Sequence, residues 1–301
     1  MLLSRSAPSI AHPQSQSIER ETVQLPATNA VGRVAVVTGS NKGIGFFIAV
    51  QLGLSGLFEN IILACRDQSR GLTAVQDVSK AIGNKATVSY APLTLGDHES
   101  HVSFRQKMEH DFGKVDVLVN NAAFAFKGAD PTPFAEQTKP TLDVNFRGTV
   151  DFTEEMLPLI RKGTDARIVN VASLAGYLGQ IQSKELRDKF TSPTLTMPEL
   201  NQLVDKFESD VKAGNHQKQG WGNSNYGMSK LALIAATKVW ARQEGPTIAV
   251  NCCCPGYCRT DMTSQKGGRA PSDGAKNAVI PATMDNPPNG ELFSDYKIAE
   301  W

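Results

Sequence analysis

The sequence predicts an α/β fold in which a doubly wound parallel sheet forms a single domain with a small helical insertion. Short apolar, β-branched runs alternate along the chain with longer segments whose apolar residues recur at helical spacing. The short runs are apolar on both faces, which is typical of a parallel sheet covered by helices on both sides. Of the 301 residues, 41% are hydrophobic and 20% are charged, so the chain can bury a core.

The predicted elements follow a polar tail. Residues 1–31 carry Ser, Gln and Pro, which predicts a disordered tail before a domain over residues 32–301. The predicted strands are Val34–Thr38, Asn60–Cys65, Thr87–Ala91, Val115–Asn120, Arg167–Ala172, Ile248–Cys254 and Glu291–Phe293. The predicted helices are Gly43–Ser55, Asp67–Lys80, His98–Phe112, Thr141–Ile160 with an end at Pro158, and Tyr226–Glu244. The expected strand order is 3-2-1-4-5-6, with a seventh strand added.

One segment, residues 182–220, interrupts the alternation of strands and helices. It is strongly polar and contains two helix-like pieces, Lys184–Phe190 and Pro198–Ala213. A structureless loop of this length is uncommon inside a compact domain. The segment is therefore predicted to be the helical insertion.

Charge and cysteine usage exclude several classes of function. The chain has 31 Lys and Arg against 30 Asp and Glu, and it shows no long run of like charges, which argues against a nucleic-acid partner. It contains no apolar stretch of about 18 residues, so no membrane-spanning helix is predicted.

The five cysteines are an odd number with three adjacent, which favours a reducing compartment, the cytoplasm. Residues 1–18 lack acids and are rich in Ser, which leaves an organelle-targeting segment as the alternative to a simple tail.

The first motif with a chemical meaning is Thr38-Gly-Ser-Asn-Lys-Gly-Ile-Gly45, which follows a predicted strand and opens a helix. A dinucleotide pyrophosphate needs close backbone approach and a helix N-terminus with free N–H groups, and side chains would block both. The turn therefore predicts a Rossmann-type cofactor site. Its expected cofactor-binding residues are Gly39, Asn41, Lys42, Gly43, Ile44 and Gly45.

The glycine spacing GxxxGxG resembles that of the short-chain dehydrogenase/reductase family, and the resemblance extends over residues 33–301. Asn120-Asn-Ala-Ala123 matches the family's NNAG motif except at its last residue, and Arg259-Thr-Asp-Met262 resembles the monomeric NADPH-dependent carbonyl reductases. The resemblance implies catalytic roles for Asn145, Ser173, Tyr226 and Lys230. It also implies cofactor contacts from Asn121, Ala122, Tyr226, Lys230, Pro255, Gly256 and Thr260.

The spacing of the catalytic candidates fits proton transfer. Tyr226 and Lys230 are four residues apart, so on a helix they share a face. A neighbouring ammonium favours the ionised form of a tyrosine, and Tyr226 is expected to give a proton to a carbonyl oxygen as hydride reaches the carbon. Ser173 follows the fifth strand and can donate a hydrogen bond to the same oxygen. By resemblance, Asn145 holds a water that links Lys230 to solvent.

The predicted cofactor is NADPH. NAD-specific relatives usually end the second strand with an acidic residue, whereas this strand ends in Ala64-Cys-Arg66. Arg66 and Lys42 can supply positive charge for a 2′-phosphate. Thr94 stands where the family commonly has an Asp that contacts adenine, and Ala123 replaces a glycine, so their effect on cofactor affinity is left open.

These features predict NADPH-dependent reduction of aldehydes, ketones or quinones to alcohols. The substrate is expected to be fairly hydrophobic. Its predicted contacts are Ser173, Leu174, Ala175, Trp221 and Tyr257. A cofactor-binding scaffold or sensor without turnover is one alternative, which the intact Asn, Ser, Tyr and Lys set disfavours. A nucleotide-sugar epimerase is another, which the short segment after Cys254 disfavours.

The remaining partner predictions concern cysteines, histidines and assembly. Cys252 and Cys254 point oppositely to Cys253 on a strand, and no pair of cysteines or histidines has zinc-like spacing, so no metal is predicted. In related carbonyl reductases a cysteine at the position of Cys253 lies near a glutathione-binding surface, which makes glutathione a candidate partner. The five histidines are expected at the surface. The insertion is long enough to cover the helices through which compact relatives form tetramers, so a monomer is predicted.

Overall fold

An eight-stranded sheet forms the centre of the structure, a computed structural model that describes residues 32–301; the predicted tail lies outside the described residues. The strands are β1 (Val34–Thr38), β2 (Asn60–Cys65), β3 (Thr87–Pro92), β4 (Val117–Asn120), β5 (Ala166–Val171), β6 (Ile248–Cys254), β7 (Leu292–Ser294) and β8 (Lys297–Ala299). Their order is β3-β2-β1-β4-β5-β6-β7-β8, and only the β7–β8 pair is antiparallel within the described residues. The doubly wound sheet, its strand order and its seventh strand are confirmed.

Helices cover both faces of the sheet because its strands are apolar on both faces. The helices are α1 (Gly43–Leu54), α2 (Gln68–Ile82), α3 (His98–Phe112), α4 (Phe134–Leu142), α5 (Thr149–Ile160), α6 (Lys184–Phe190), α7 (Met197–Lys212), α8 (Asn225–Glu244) and α9 (Pro271–Thr283). One apolar layer joins the sheet to α1, α2 and α9, and the other joins it to α3, α5 and α8. The carboxyl ends of β1, β4, β5 and β6 thus meet at one edge, where a doubly wound sheet binds its ligand.

The helix predicted over Thr141–Ile160 differs most from its prediction. It begins earlier, at Phe134, and a π-helical turn over Asp143–Gly148 separates α4 from α5. Pro158 does not end α5, which continues to Ile160. A proline removes one hydrogen bond to the preceding turn, and so near a helix C-terminus its effect is confined to the last turn.

Two elements and one histidine depart from the sequence prediction. The strand β8 and the helix α9 lie in a region where the sequence predicted only a seventh strand. The helix α9 buries small residues such as Ala275 and Ala278, so it shows no strong apolar stripe. His101 is fully buried beside Phe152, which corrects the expectation that all five histidines lie at the surface.

The insertion folds into α6 and α7 and packs against the domain. Its own core contains Trp221, which is 2% exposed, and its ring contacts Phe190 and Phe207. The Trp221 indole Nε1 donates a hydrogen bond of 2.7 Å to Asp210 of α7. Trp221 therefore holds the insertion together, and its predicted contact with the substrate stays a prediction.

The helix α7 packs on α4 and α8, and ion pairs fix it there. Arg147, in the π-helical turn, contacts Asp205 at 2.6 Å and Glu208 at 2.7 Å. The insertion thereby covers part of the surface formed by α4 and α8. Within residues 32–301, no helix is both long and apolar enough to cross a bilayer.

Candidate active site

The glycine turn after β1 forms a cradle at the N-terminus of α1. Gly39 and Gly43 have φ of +63° and +60°, a left-handed conformation that glycine adopts without strain. A Cβ on Gly45 would lie 2.4 Å from Asn121 Nδ2, so the close packing of the cradle requires a glycine there. No side chain caps α1, and its first turn holds no acidic residue. The free N–H groups at this end fit a pyrophosphate, and the cradle fits a dinucleotide.

The loop after β4 is fastened to this cradle. The Thr38 hydroxyl oxygen accepts hydrogen bonds of 2.9 Å from the backbone N–H groups of Asn121 and Ala122. Asn121 Nδ2 donates to the Thr38 carbonyl at 2.8 Å. The structure therefore brings the predicted residues of the NNAA motif against the glycine turn, and Thr38 is a contributor that the sequence prediction omitted.

Basic side chains lie along the outer edge of the cradle. Arg66 is exposed at the end of β2, and the Lys42 ammonium contacts Asp261 at 2.6 Å. Lys42 and Asp261 line an open cleft of about 470 Å³ together with Arg70. Arg70 is a further candidate for binding a 2′-phosphate, and its position one helical turn after Arg66 was the available sequence signal.

The segment after β6 lies across the glycine turn. Pro255 is buried, and Gly256 has φ of +79°, which turns the chain sharply at the sheet edge. Thr260 then approaches Gly43, because its methyl group lies 3.6 Å from the position a Cβ would take there. This segment therefore lies next to the cradle that is predicted to bind the cofactor.

The three catalytic candidates Ser173, Tyr226 and Lys230 meet above the ends of β5 and β6. Ser173 follows β5 and is partly buried, and Tyr226 lies in the first turn of α8. Lys230 is 2% exposed, its Nζ donates to the Val171 carbonyl at 2.7 Å, and it lies 5.7 Å from the centre of the Tyr226 ring. The sequence prediction that Tyr226 and Lys230 share a helix face holds in the structure.

Burial controls the protonation of this pair. Burial, with a smaller contribution from the Cys254 thiol, raises the pKa of Tyr226 to about 12, although a hydrogen bond with Ser173 acts in the opposite direction. Burial lowers the pKa of Lys230 to about 8. The pKa of Tyr226 is therefore raised, where the sequence analysis expected a shift toward the ionised form, because burial disfavours the charged phenolate.

Asn145 lies in the π-helical turn and connects three segments. Its Nδ2 donates to the Phe124 carbonyl at 2.8 Å and to the Ser229 hydroxyl at 3.2 Å, and its Oδ1 accepts from the Phe124 N–H at 2.9 Å. Asn145 thereby fastens the loop after β4 to α8. The water relay that the resemblance implies stays a prediction.

The segments that follow β5 and β6 expose large apolar side chains, which we call the apolar rim. Leu174 and Tyr257 are 47% and 62% exposed, and Tyr177 and Met262 are exposed as well. The carbonyl of Gly176, in the same short 3₁₀ turn as Leu174 and Ala175, accepts a hydrogen bond of 2.9 Å from the Trp301 indole. The rim presents large apolar side chains to solvent, as a site for an apolar ligand would.

The three adjacent cysteines alternate across the sheet as the sequence predicts. Cys253 is fully buried among the residues that join the sheet to α9, and burial raises the pKa of its thiol well above its ordinary value. The Cys253 thiol is therefore not exposed in this structure, and glutathione as a partner stays a prediction. On the other face, Cys254 Sγ accepts hydrogen bonds from the N–H groups of Leu174 and Gly256.

Known proteins are similar to this chain in sequence and in structure. The short chain dehydrogenase family model matches residues 33–184 and 211–270. Carbonyl reductase (NADPH) 1 from Homo sapiens is 39% identical over 279 residues, which cover 89% of this chain and 98% of that protein. Salutaridine reductase from Papaver somniferum is similar in structure, with a TM-score of 0.78, 29% identity, and coverage of 87% of this chain and 99% of that one. Menthone neomenthol reductase from Mentha piperita gives a TM-score of 0.74 with 28% identity, covering 88% of this chain and 99% of that one.

The family match leaves out residues 185–210, which belong to the insertion and form most of α6 and α7. The matched residues carry the glycine cradle, the loop after β4 and all four catalytic candidates. This chain belongs to the short-chain dehydrogenase family.

Proposed function

We propose that this chain is an NADPH-dependent carbonyl reductase that reduces aldehydes, ketones or quinones to alcohols, with Tyr226 as the proton donor. The observation that carries the proposal is the position of Ser173 and Tyr226 beside the buried Lys230 ammonium, next to the glycine cradle. The likeness to carbonyl reductase (NADPH) 1 over 89% of this chain supports the same activity and cofactor.

The chain's own residues suffice for the proton-transfer half of the reaction. Bound in the cradle, NADPH supplies the hydride that reduces the carbonyl carbon. The Ser173 and Tyr226 hydroxyls lie close together, so a carbonyl oxygen placed between them can accept a hydrogen bond from both. Tyr226 is protonated at neutral pH, so its hydroxyl proton is available as negative charge develops on that oxygen. The Lys230 ammonium then stabilises the tyrosinate.

Basic residues at the outer edge of the cradle support NADPH over NADH. Arg66 follows β2, where the ribose of the adenosine half lies in a Rossmann-type site. Its planar guanidinium can bind a phosphate through two parallel hydrogen bonds. Lys42 and Arg70 line the adjoining cleft, where Lys42 is paired with Asp261 and Arg70 with Asp67, and both can reach a phosphate group as cations.

The apolar rim supports a fairly hydrophobic substrate. Burying the exposed parts of Leu174, Tyr177, Tyr257 and Met262 against a ligand removes apolar surface from water, and each Å² buried contributes about 25 cal/mol. A small hydrophilic ketone covers little of this surface. The structure thus favours aromatic aldehydes, quinones and bulky alicyclic ketones.

An NADPH-oxidation assay over such a panel, with small hydrophilic ketones for comparison, tests the proposal. Leu174→Asn should lower kcat/KM several-fold for the bulky substrates and leave that for the small ones unchanged. Leu72→Asn is the matched control, because Leu72 is 48% exposed on α2, away from the rim. Tight NADPH binding without turnover of any substrate would favour a scaffold or sensor instead.

The insertion and the free cysteines support two further parts of the proposal. The helix α7 covers α4 and α8 and is held by Arg147, so we expect a monomer near 32.5 kDa, measurable by light scattering. A stable tetramer at micromolar concentration would contradict it. All five cysteines are unpaired, which supports a reducing compartment such as the cytoplasm.

A further inference from the structure

A group of histidine and aspartate side chains joins α3 to α5, outside the catalytic residues described above. His98 and His101 are three residues apart on α3, and both face Asp151 on α5. His98 Nδ1 lies 2.9 Å from Asp151 Oδ2 and 3.1 Å from Oδ1, and His101 Nδ1 lies 2.5 Å from Oδ2. All three ligand atoms lie within 4.8 Å of one another.

We propose that His98, His101 and Asp151 form a binding site for a divalent first-row transition-metal ion such as Zn²⁺ or Ni²⁺. Two imidazole nitrogens and one carboxylate oxygen suit these ions, whereas Mg²⁺ and Ca²⁺ prefer sites made of oxygen ligands alone. With metal–ligand bonds of about 2.1 Å, neighbouring ligands of a six-coordinate ion are about 3 Å apart. The separations of His98 from the carboxylate already match that spacing, and the exposed Asp151 carboxylate needs a small shift away from His101.

The burial of the three side chains suits an ion that enters from solvent. The His101 side chain is 1% exposed and is held in place against Phe152, so one ligand is fixed. The side chains of His98 and Asp151 are 61% and 42% exposed. Water can therefore reach the site, and it can fill the coordination positions that the protein leaves open.

The charges around the site favour a cation. Within residues 32–301, the Asp151 carboxylate has no ion pair with Lys or Arg, and its charged or titratable partners are His98 and His101. The carboxylates of Asp97 and Glu155 add negative potential at His98. The nearest cation on α3, Arg105, is paired with Glu109 and Glu155.

Metal binding replaces hydrogen bonds in this site. An ion bound through the Nδ1 atoms of His98 and His101 takes the place of the hydrogen bonds between these atoms and the Asp151 carboxylate. The bound ion would tie α3 to α5, which directly follows the π-helical turn that carries Asn145.

Calorimetric titration of the chelator-treated full chain with Zn²⁺ tests the proposal, with the thermal midpoint recorded in parallel. We expect one bound ion and a raised Tm in the parent. His98→Ala removes an exposed ligand without disturbing the core, and it should weaken binding at least tenfold and abolish the rise in Tm. His110→Ala is the control: this exposed histidine also lies on α3 and contacts a carboxylate, that of Asp111, at 2.9 Å. It should bind as the parent does.

Two results would overturn the proposal. One is the absence of zinc binding by the parent at pH 8 below millimolar concentration. The other is equal binding by the parent and His98→Ala, which retains all five cysteines and would then point to thiol ligands. Repeating the titration with Ni²⁺, which favours imidazole ligands, should give the same order of variants.

Discussion

Lys230 and Arg66 are both cations of the candidate active site, but their surroundings are opposite. Lys230 is buried, its ammonium donates to the Val171 carbonyl, and burial lowers its pKa to about 8. The Arg66 side chain is exposed to solvent at the end of β2. A buried charge acts strongly at short range in low polarity, whereas an exposed one is screened by salt and water. Removing a single polar atom near Lys230 should therefore change the turnover rate strongly. Cofactor affinity at the exposed edge near Arg66 should instead depend on net charge and salt concentration.

The largest effect is expected in the buried half. Tyr226→Phe keeps the ring and removes the hydroxyl, so kcat should fall by about 10²- to 10⁴-fold. NADPH affinity, measured by fluorescence, should stay within about twofold. Tyr257→Phe, which removes a hydroxyl from an exposed tyrosine of the rim, is the control and should leave kcat nearly unchanged. Activity of Tyr226→Phe within a few-fold of the parent would contradict its role as proton donor.

At the exposed edge the expected effect is on cofactor affinity alone. Arg66→Ala removes a charge-assisted contact worth about 1.5–3 kcal/mol, so NADPH should bind at least tenfold more weakly while NADH is nearly unaffected. Salt should weaken NADPH binding by the parent more than NADH binding. Lys80→Ala, which removes an exposed cation from the last turn of α2, is the control. Equal losses for both cofactors would show that Arg66 does not bind the 2′-phosphate.

The difference between local patterns and long-range burial explains which features could be predicted from the sequence. The strand β6 and the helix α3 have the bounds that their hydrophobic patterns indicate, because burial forces those patterns. The proximity of the catalytic candidates was also predictable, since one helix and one strand end fix the positions of Ser173, Tyr226 and Lys230. The raised pKa of Tyr226 was not, because it depends on burial by segments distant in sequence. The burial of Trp221 in the insertion depends equally on long-range packing.

Protonation of Lys230 gives a test by pH. Its pKa is lowered to about 8, so the ammonium is present below pH 8 and is lost above it, whereas Tyr226 stays protonated to about pH 12. If the ammonium stabilises the tyrosinate, kcat for reduction should fall by up to tenfold for each pH unit above 8. Lys230→Met should be less active and should lack this inflection. A flat profile for the parent between pH 7 and pH 10 would exclude the role of Lys230 charge.

A smaller effect is expected from a change of Trp301, which contacts the turn that carries Leu174 of the apolar rim. Trp301 donates to the Gly176 carbonyl at 2.9 Å, and a Cβ on Gly176 would lie 2.7 Å from the backbone of Lys230 and Leu231. The turn that follows Ser173 is thus pressed between Trp301 and α8. Trp301→Phe keeps an aromatic ring and removes one hydrogen bond, worth about 0.5–1.5 kcal/mol, so kcat/KM should fall about 2- to 10-fold.

NADPH affinity and a second tryptophan variant are the controls for this last prediction. NADPH affinity should be the same in Trp301→Phe as in the parent, because the cradle is formed by other segments. Trp240→Phe loses a similar indole hydrogen bond, to Glu154 at 2.6 Å, on a part of α8 away from Ser173. It should lower Tm and leave kcat/KM unchanged. Equal losses of kcat/KM in the two variants would mean that Trp301 only stabilises the fold and does not position the turn beside Ser173.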